Sequence, residues 1–161
     1  MTFPSEQNQH FKETYLAQMR KQAMVVRTDI FVSLSQQYLS QIPLSGAAAF
    51  RTRGGKEGIL INWDHYETGL GQNFTDCIDY EIEHEVHELW LTKGKEKVDA
   101  FGPDHYEAIK AAMRLAHQKQ MLNRYMDLKR AQMKTFDSMG DTHALEELAF
   151  YQRYVFELTG A

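Results

Sequence analysis

The stretch AAAFRTRGGKEGILINWDHY, residues 47–66, decides between an all-helical chain and a mixed one. Two extended runs, AAAFRTR and GILINWDHY, flank the glycine-rich GGKE, which predicts a β-hairpin. Along the second run Ile59 and Ile61 point to one face, and Leu60 and Asn62 to the other. The unbroken Ile59-Leu60-Ile61 predicts a strand buried on both faces. Gly54-Gly55-Lys56 has the composition of a phosphate cradle. It leads into a strand and not a helix, so it reads as a turn.

Outward from the hairpin the period is helical. Upstream, Ser5 is placed to cap a helix running to about Val26, with Phe11, Tyr15, Met19 and Ala23 as its apolar stripe. Thr28 or Asp29 opens a second helix carrying Ile30, Phe31, Leu34, Tyr38, Leu39 and Ile42, and Pro43 stops it. Downstream, Gly69, Gly71 and Asn73 mark a loop, and Thr75 caps a helix reaching about Thr92 and ending near Gly94. A charged connector covers residues 93–97. Gly102-Pro103 then opens one long helix over residues 104–136, and Gly140 breaks it. A last helix covers residues 144–158, after Thr142 and closed by Gly160. The expected fold is a helix-rich α+β single domain over residues 1–161, with a hairpin or small sheet preceding a central His/Glu-rich helix.

Composition narrows the function classes. The chain has 161 residues, 43% hydrophobic and 25% charged, which suits one globular core. A net charge of −4 argues against nucleic acid as the main partner. Cys77 is the only cysteine, so no intrachain disulfide or cysteine-based zinc knuckle can form, and a cytoplasmic protein is expected. The N-terminal residues lack the apolar core of a signal peptide. No apolar run approaches the roughly 18 residues of a membrane span. The oligomeric state leaves no mark in the sequence.

The chemistry concentrates in EIEHEVHELW, residues 81–90, six of whose ten residues are Glu or His. On a helix, Ile78, Ile82, Val86 and Leu89 share one face, and Tyr80 and Leu91 form a second apolar strip. Glu81, His84, Glu85 and Glu88 fall between the two strips, so the polar stripe is not simply a solvated face. Zinc hydrolases carry H-E-x-x-H on a helix: the two histidines lie about 40° apart and share the metal, and the Glu takes a proton from water. Here the run is His84-Glu85-Val86-His87-Glu88, with Glu88 in place of the second histidine. His84 and Glu88 can share a metal, since a carboxylate is a competent zinc ligand. Alternatively His84 pairs with His87, about 60° round the helix. In either case Glu85 holds the general-base position. A third ligand is expected from the start of the next helix, at His105 or Glu107, with His117 and His65 as weaker candidates.

The order of elements resembles that of small, single-domain zincin-like metallopeptidases. In that family a helix precedes a hairpin or small sheet, a strand reading like GILIN lies along the substrate groove, and the H-E-x-x-H helix follows. IEHEVHEL (residues 82–89) and HYEAIKAAMRLA (residues 105–116) resemble the metal helix and the downstream helix that supplies a third ligand. The resemblance covers about residues 30–117. It implies a zinc-dependent hydrolase acting on a peptide, or a relative that keeps the scaffold without the metal, and places the site beside the 59–62 strand.

Other readings use the same residues. Glu81-Ile-Glu-His84 has the E-x-x-H spacing of di-iron bundles, but a convincing second copy is missing. The acidic helix and the basic segment 110–134 can instead pair across the fold, or present an acidic face and a basic helix to a protein partner, giving a non-enzymatic interaction protein. Met113, Met121, Met126 and Met133 read as packing. Cys77, in the first turn of its helix, also reads as packing and not as a reactive thiol. Asp64 and His65, at the strand end, read as loop polarity, with a place lining a groove as the alternative.

Overall fold

The computed structural model describes residues 4–93 and 102–160. The hairpin forms as β2 (Ala47–Arg51) and β3 (Glu57–Asn62), antiparallel, with Ala48 opposite Leu60 and Phe50 opposite Gly58. Gly55, at φ +86°, supplies the left-handed residue its turn needs. Ile59, Leu60 and Ile61 are fully buried. Ile59 and Ile61 join the main core, while Leu60 packs on the other face with Phe31 and Phe50.

The sheet has a third strand that the helical period concealed. The first helix, α1 (Pro4–Lys21), ends early, and β1 (Met24–Val26) pairs parallel to β3. The strand order is β1-β3-β2. The hydrogen bonds that hold Met24-Val25-Val26 extended come from residues 60–62, a long-range partner that no local period registers. Phe11, expected on the buried stripe, is 66% exposed, and Leu16 and Met19 carry the buried face of α1. The second helix, α2 (Thr28–Tyr38), stops before Pro43.

After β3 the chain makes a π-helical turn at His65–Gly69, which turns Tyr66 inward, and a 3-10 turn at Thr75–Cys77. Gly46 lies against the His65 ring, and a Cβ there would stand 2.5 Å from it. The central helix, α3 (Ile78–Leu91), follows. Arg51 of β2 donates to the Leu89 and Thr92 carbonyls at 2.8 and 2.9 Å, satisfying the end of α3 and tying it to the sheet. The expected end near Gly94 and most of the charged connector lie outside the described residues.

Three further helices complete the fold: α4 (Pro103–Gln118), α5 (Leu122–Ser138) and α6 (Ala144–Thr159). The single long helix expected over residues 104–136 is therefore two. Gln120 takes a left-handed conformation at φ 59°, Met121 N–H reaches back to the Ala116 carbonyl and Gln120 N–H to His117. This is a Schellman stop built without the glycine that usually announces it. Met113, Met126 and Met133 are buried in the core these helices share. No helix among the described residues is long and apolar enough to cross a membrane.

α1 is held to α3 by charge as well as by packing. Arg20 grips both oxygens of Glu83 at 2.7 Å, and His87 donates to the same carboxylate at 3.1 Å. Burial alone would raise the Glu83 pKa, but His87 and Arg20 bring it down to about 2. A depressed carboxylate stabilises the fold above its unfolded value, and that contribution is lost as pH falls toward the folded value. Acid titration of unfolding should therefore show a loss between about pH 4.5 and 2, and Arg20→Gln should reduce it while lowering stability at pH 7. An unchanged acid limb in the variant would contradict this role for Glu83.

Candidate metal centre

The polar stripe of α3 is enclosed. Glu81, His84, Glu85 and Glu88 are each no more than 7% exposed, because the sheet and α4 cover the helix on both sides of the stripe. Each group meets a different environment.

Glu88 stands between two imidazoles. Its Oε1 accepts from His84 Nε2 at 2.8 Å and from His105 Nδ1 at 2.5 Å. His105 enters from the first turn of α4, with its ring 5.0 Å from that of His84 and nearly perpendicular to it. Its far nitrogen, Nε2, donates to Glu147 of α6. Donor atoms of His84, Glu88 and His105 all lie within 4.8 Å of one another, and this buried group can hold a metal ion. Burial opposes charge on His105, yet Glu147 and Glu88 raise its pKa to about 10. Burial would likewise raise Glu88, but the two imidazoles lower it.

Glu81 is matched by Lys129 of α5, whose Nζ pairs with Oε1, while Tyr66 donates to Oε2 at 3.0 Å. Lys129 also donates to Gln132 at 3.0 Å and lies over the Tyr125 and Tyr151 rings. Gln132 in turn donates to His65. Despite burial, Lys129 keeps the Glu81 pKa below its ordinary value. No lysine or arginine among the described residues pairs with Glu85. Burial and the neighbouring charges of Glu88 and Glu81 push its pKa well above the ordinary carboxyl range, so with no ion bound it holds a proton.

These groups open on a cavity of about 440 Å³. Its other lining comes from β2 and from residues 39–45, the segment that leads into β2. The groove was expected beside residues 59–62. That position is corrected: β3 is the middle strand, covered by β1 and β2, so the edge strand β2 faces the cavity.

Of the sequence-derived ligands, the structure brings together His84, Glu88 and His105, with Glu85 lining the same cavity. It does not bring in His87, which turns to the α1 side of the helix and meets Glu83. Nor does it bring in Glu107, whose exposed side chain pairs with Lys110 at 3.4 Å. The helical period explains both: each is off the enclosed stripe, His87 by about 60° from His84. His65 is held by Gln132 outside the donor group, His117 is exposed, and Asp64 pairs with Arg27 and Thr28. Two residues of the cluster had no sequence signal of their own. Lys129 falls within the basic segment 110–134, and Glu147, one of two acids in the first turn of α6, is not singled out by the sequence. Cys77 is fully buried, its thiol pushed up to about 12 chiefly by burial, as the packing reading expects. In comparisons with protein families, curated proteins and solved structures, nothing matches the chain.

The Glu81–Lys129 pair yields a direct test. Removing one member of a buried pair leaves an uncompensated charge, at a cost of about 3–5 kcal/mol. Lys129→Met should lose stability on that scale in urea denaturation. Adding Glu81→Gln to the same chain should recover most of the loss. A double variant no more stable than Lys129→Met would show that packing of the lysine stem, and not charge, is what the pair supplies.

Proposed function

We propose that the protein is a zinc-dependent hydrolase of zincin-like chemistry acting on an amide or ester bond, with a peptide as one class of partner. The observation that carries this reading is the combination on α3 and α4: three convergent donors, two of them fully enclosed, and beside them one carboxyl, Glu85, that no described lysine or arginine pairs with. Two histidines and a glutamate form a set that catalytic zinc sites use. Here the chemistry of two positions is exchanged relative to H-E-x-x-H, since Glu88 stands at the second helical position and a histidine, His105, supplies the third donor. The donor set fits the ion in a second respect. Ligating histidines usually present their other ring nitrogen to a carboxylate, and Glu147 stands at Nε2 of His105.

Bound by His84, Glu88 and His105, zinc would polarise a carbonyl oxygen and lower the pKa of water to near 7. Glu85 then accepts a proton from the attacking water and returns it to the leaving group. Burial raises its proton affinity above that of an ordinary carboxyl, and a bound dication would offset that rise and leave the carboxylate free to accept a proton. Lys129 holds Glu81 as a paired anion, so Glu81 does not compete for the ion.

The competing reading is a metal-free interaction protein in which His105, between two carboxylates, is itself the counter-charge. Metal analysis separates the two. Protein purified without added metal or a histidine tag should carry about one zinc per chain. His84→Ala and His105→Ala should lose it, while His87→Ala and Glu107→Ala keep it. Glu85→Gln should keep the metal and lower turnover by about 10²–10⁴-fold. Absence of metal from the native chain, or its retention in His84→Ala and His105→Ala, would overturn the proposal.

A further inference from the structure

The wall of the cavity formed by residues 39–49, LSQIPLSGAAA, contains no ionisable side chain. Ile42 and Leu44 on this wall are 45% and 59% exposed, so apolar surface stands at the cavity in solvent. β2 contributes three consecutive alanines, which favour strands poorly and leave room where larger residues would fill it. Met133 and Phe136 of α5 extend the apolar lining.

The cations at the cavity are already committed. Lys129 pairs with Glu81, and His105 lies between Glu88 and Glu147. Asp141, also on the lining, accepts from the His143 backbone at 2.9 Å. Among the described lining residues an anionic ligand would meet an excess of carboxyl groups and no uncommitted lysine or arginine. A hydrocarbon group would meet Ile42, Leu44, Ala47, Ala49, Met133 and Phe136, and its burial would remove apolar surface on both sides from water.

We propose that the cavity binds an uncharged hydrocarbon group of the substrate along residues 39–49, with the polar end of the molecule at the His84–Glu88–His105 group. The catalytic part of this assignment rests on the hydrolase reading; the binding part does not. The shared chemistry is an apolar acyl group, presented either by a simple acyl chain or by an apolar side chain in a peptide.

The test uses straight-chain hydroxamic acids of two to ten carbons, with N-acetyl-leucine hydroxamate as a peptide-like arm. Dissociation constants are measured by NMR titration on the full chain with and without added zinc. Affinity should rise about fourfold per methylene over the first several carbons in both preparations. The relative affinity of N-acetyl-leucine hydroxamate and the straight chain of equal carbon number assigns the source. Zinc should displace the whole series by a constant factor. Loss of that displacement would count against the metal reading and leave the slope standing. A series independent of chain length, with or without zinc, would overturn this inference. Replacing the exposed pair, Ile42→Ser with Leu44→Ser, should weaken the eight-carbon compound about tenfold and leave the two-carbon compound unchanged. Equal weakening of both, or of neither, would also overturn it.

Discussion

A carboxylate taken out of water must find a counter-charge, find donors, or keep its proton. α3 brings four buried glutamates to that choice within one helix of 14 residues. Glu83 is gripped by Arg20 and His87 on one side of the helix. Glu81 is paired with Lys129 and bonded by Tyr66 on another. Glu88 is held between two imidazoles. Glu85 meets no lysine or arginine among the described residues and keeps a proton. Four residues of one type, within about two helical turns, thus meet four different environments, which leave three of them ionised and one protonated.

The rest of the fold supplies those partners, one from almost every element. α1 brings Arg20, α4 His105, α5 Lys129 and α6 Glu147, while the π-helical turn after β3 aims Tyr66 at Glu81. The sheet closes the remaining side and leaves β2 as the edge along the cavity. Stability and chemistry are therefore drawn from the same contacts. A buried charge cluster is weak evidence of stability, because the desolvation cost rivals the attraction. Its place on the lining of a cavity is what points to function.

Much of this was legible in the sequence where the signal was local. The GGKE turn between extended runs gave the hairpin, and Gly102-Pro103 and Gly160 marked helix ends where they occur. The stripe between two apolar strips identified Glu81, His84, Glu85 and Glu88 as an enclosed set, and the short connector brought His105 forward as one of two third donors. Long-range pairing was not legible. β1 forms only because β3 offers it a partner, and the α4–α5 break depends on a left-handed glutamine that no residue preference flags. Lys129 and Glu147 were invisible for a related reason: a lysine in a basic helix and a glutamate in a first turn carry no sign that they point inward. The choice between Glu88 and His87 likewise waited on which flank of α3 the other helices cover.

The cluster near Glu85 and Glu88 is balanced by protons when no ion is bound and, on the hydrolase proposal, by a dication when one is. Metal binding must then release protons, since a ligating His105 gives up its imidazolium proton and Glu85 is free to lose its own. Calorimetric titration with zinc at pH 7, in buffers of different ionisation enthalpy, counts those protons directly. Release of about one to two protons per zinc bound is expected, lost together with binding in His105→Ala. Stoichiometric binding that releases no protons, or no binding at all, would contradict it.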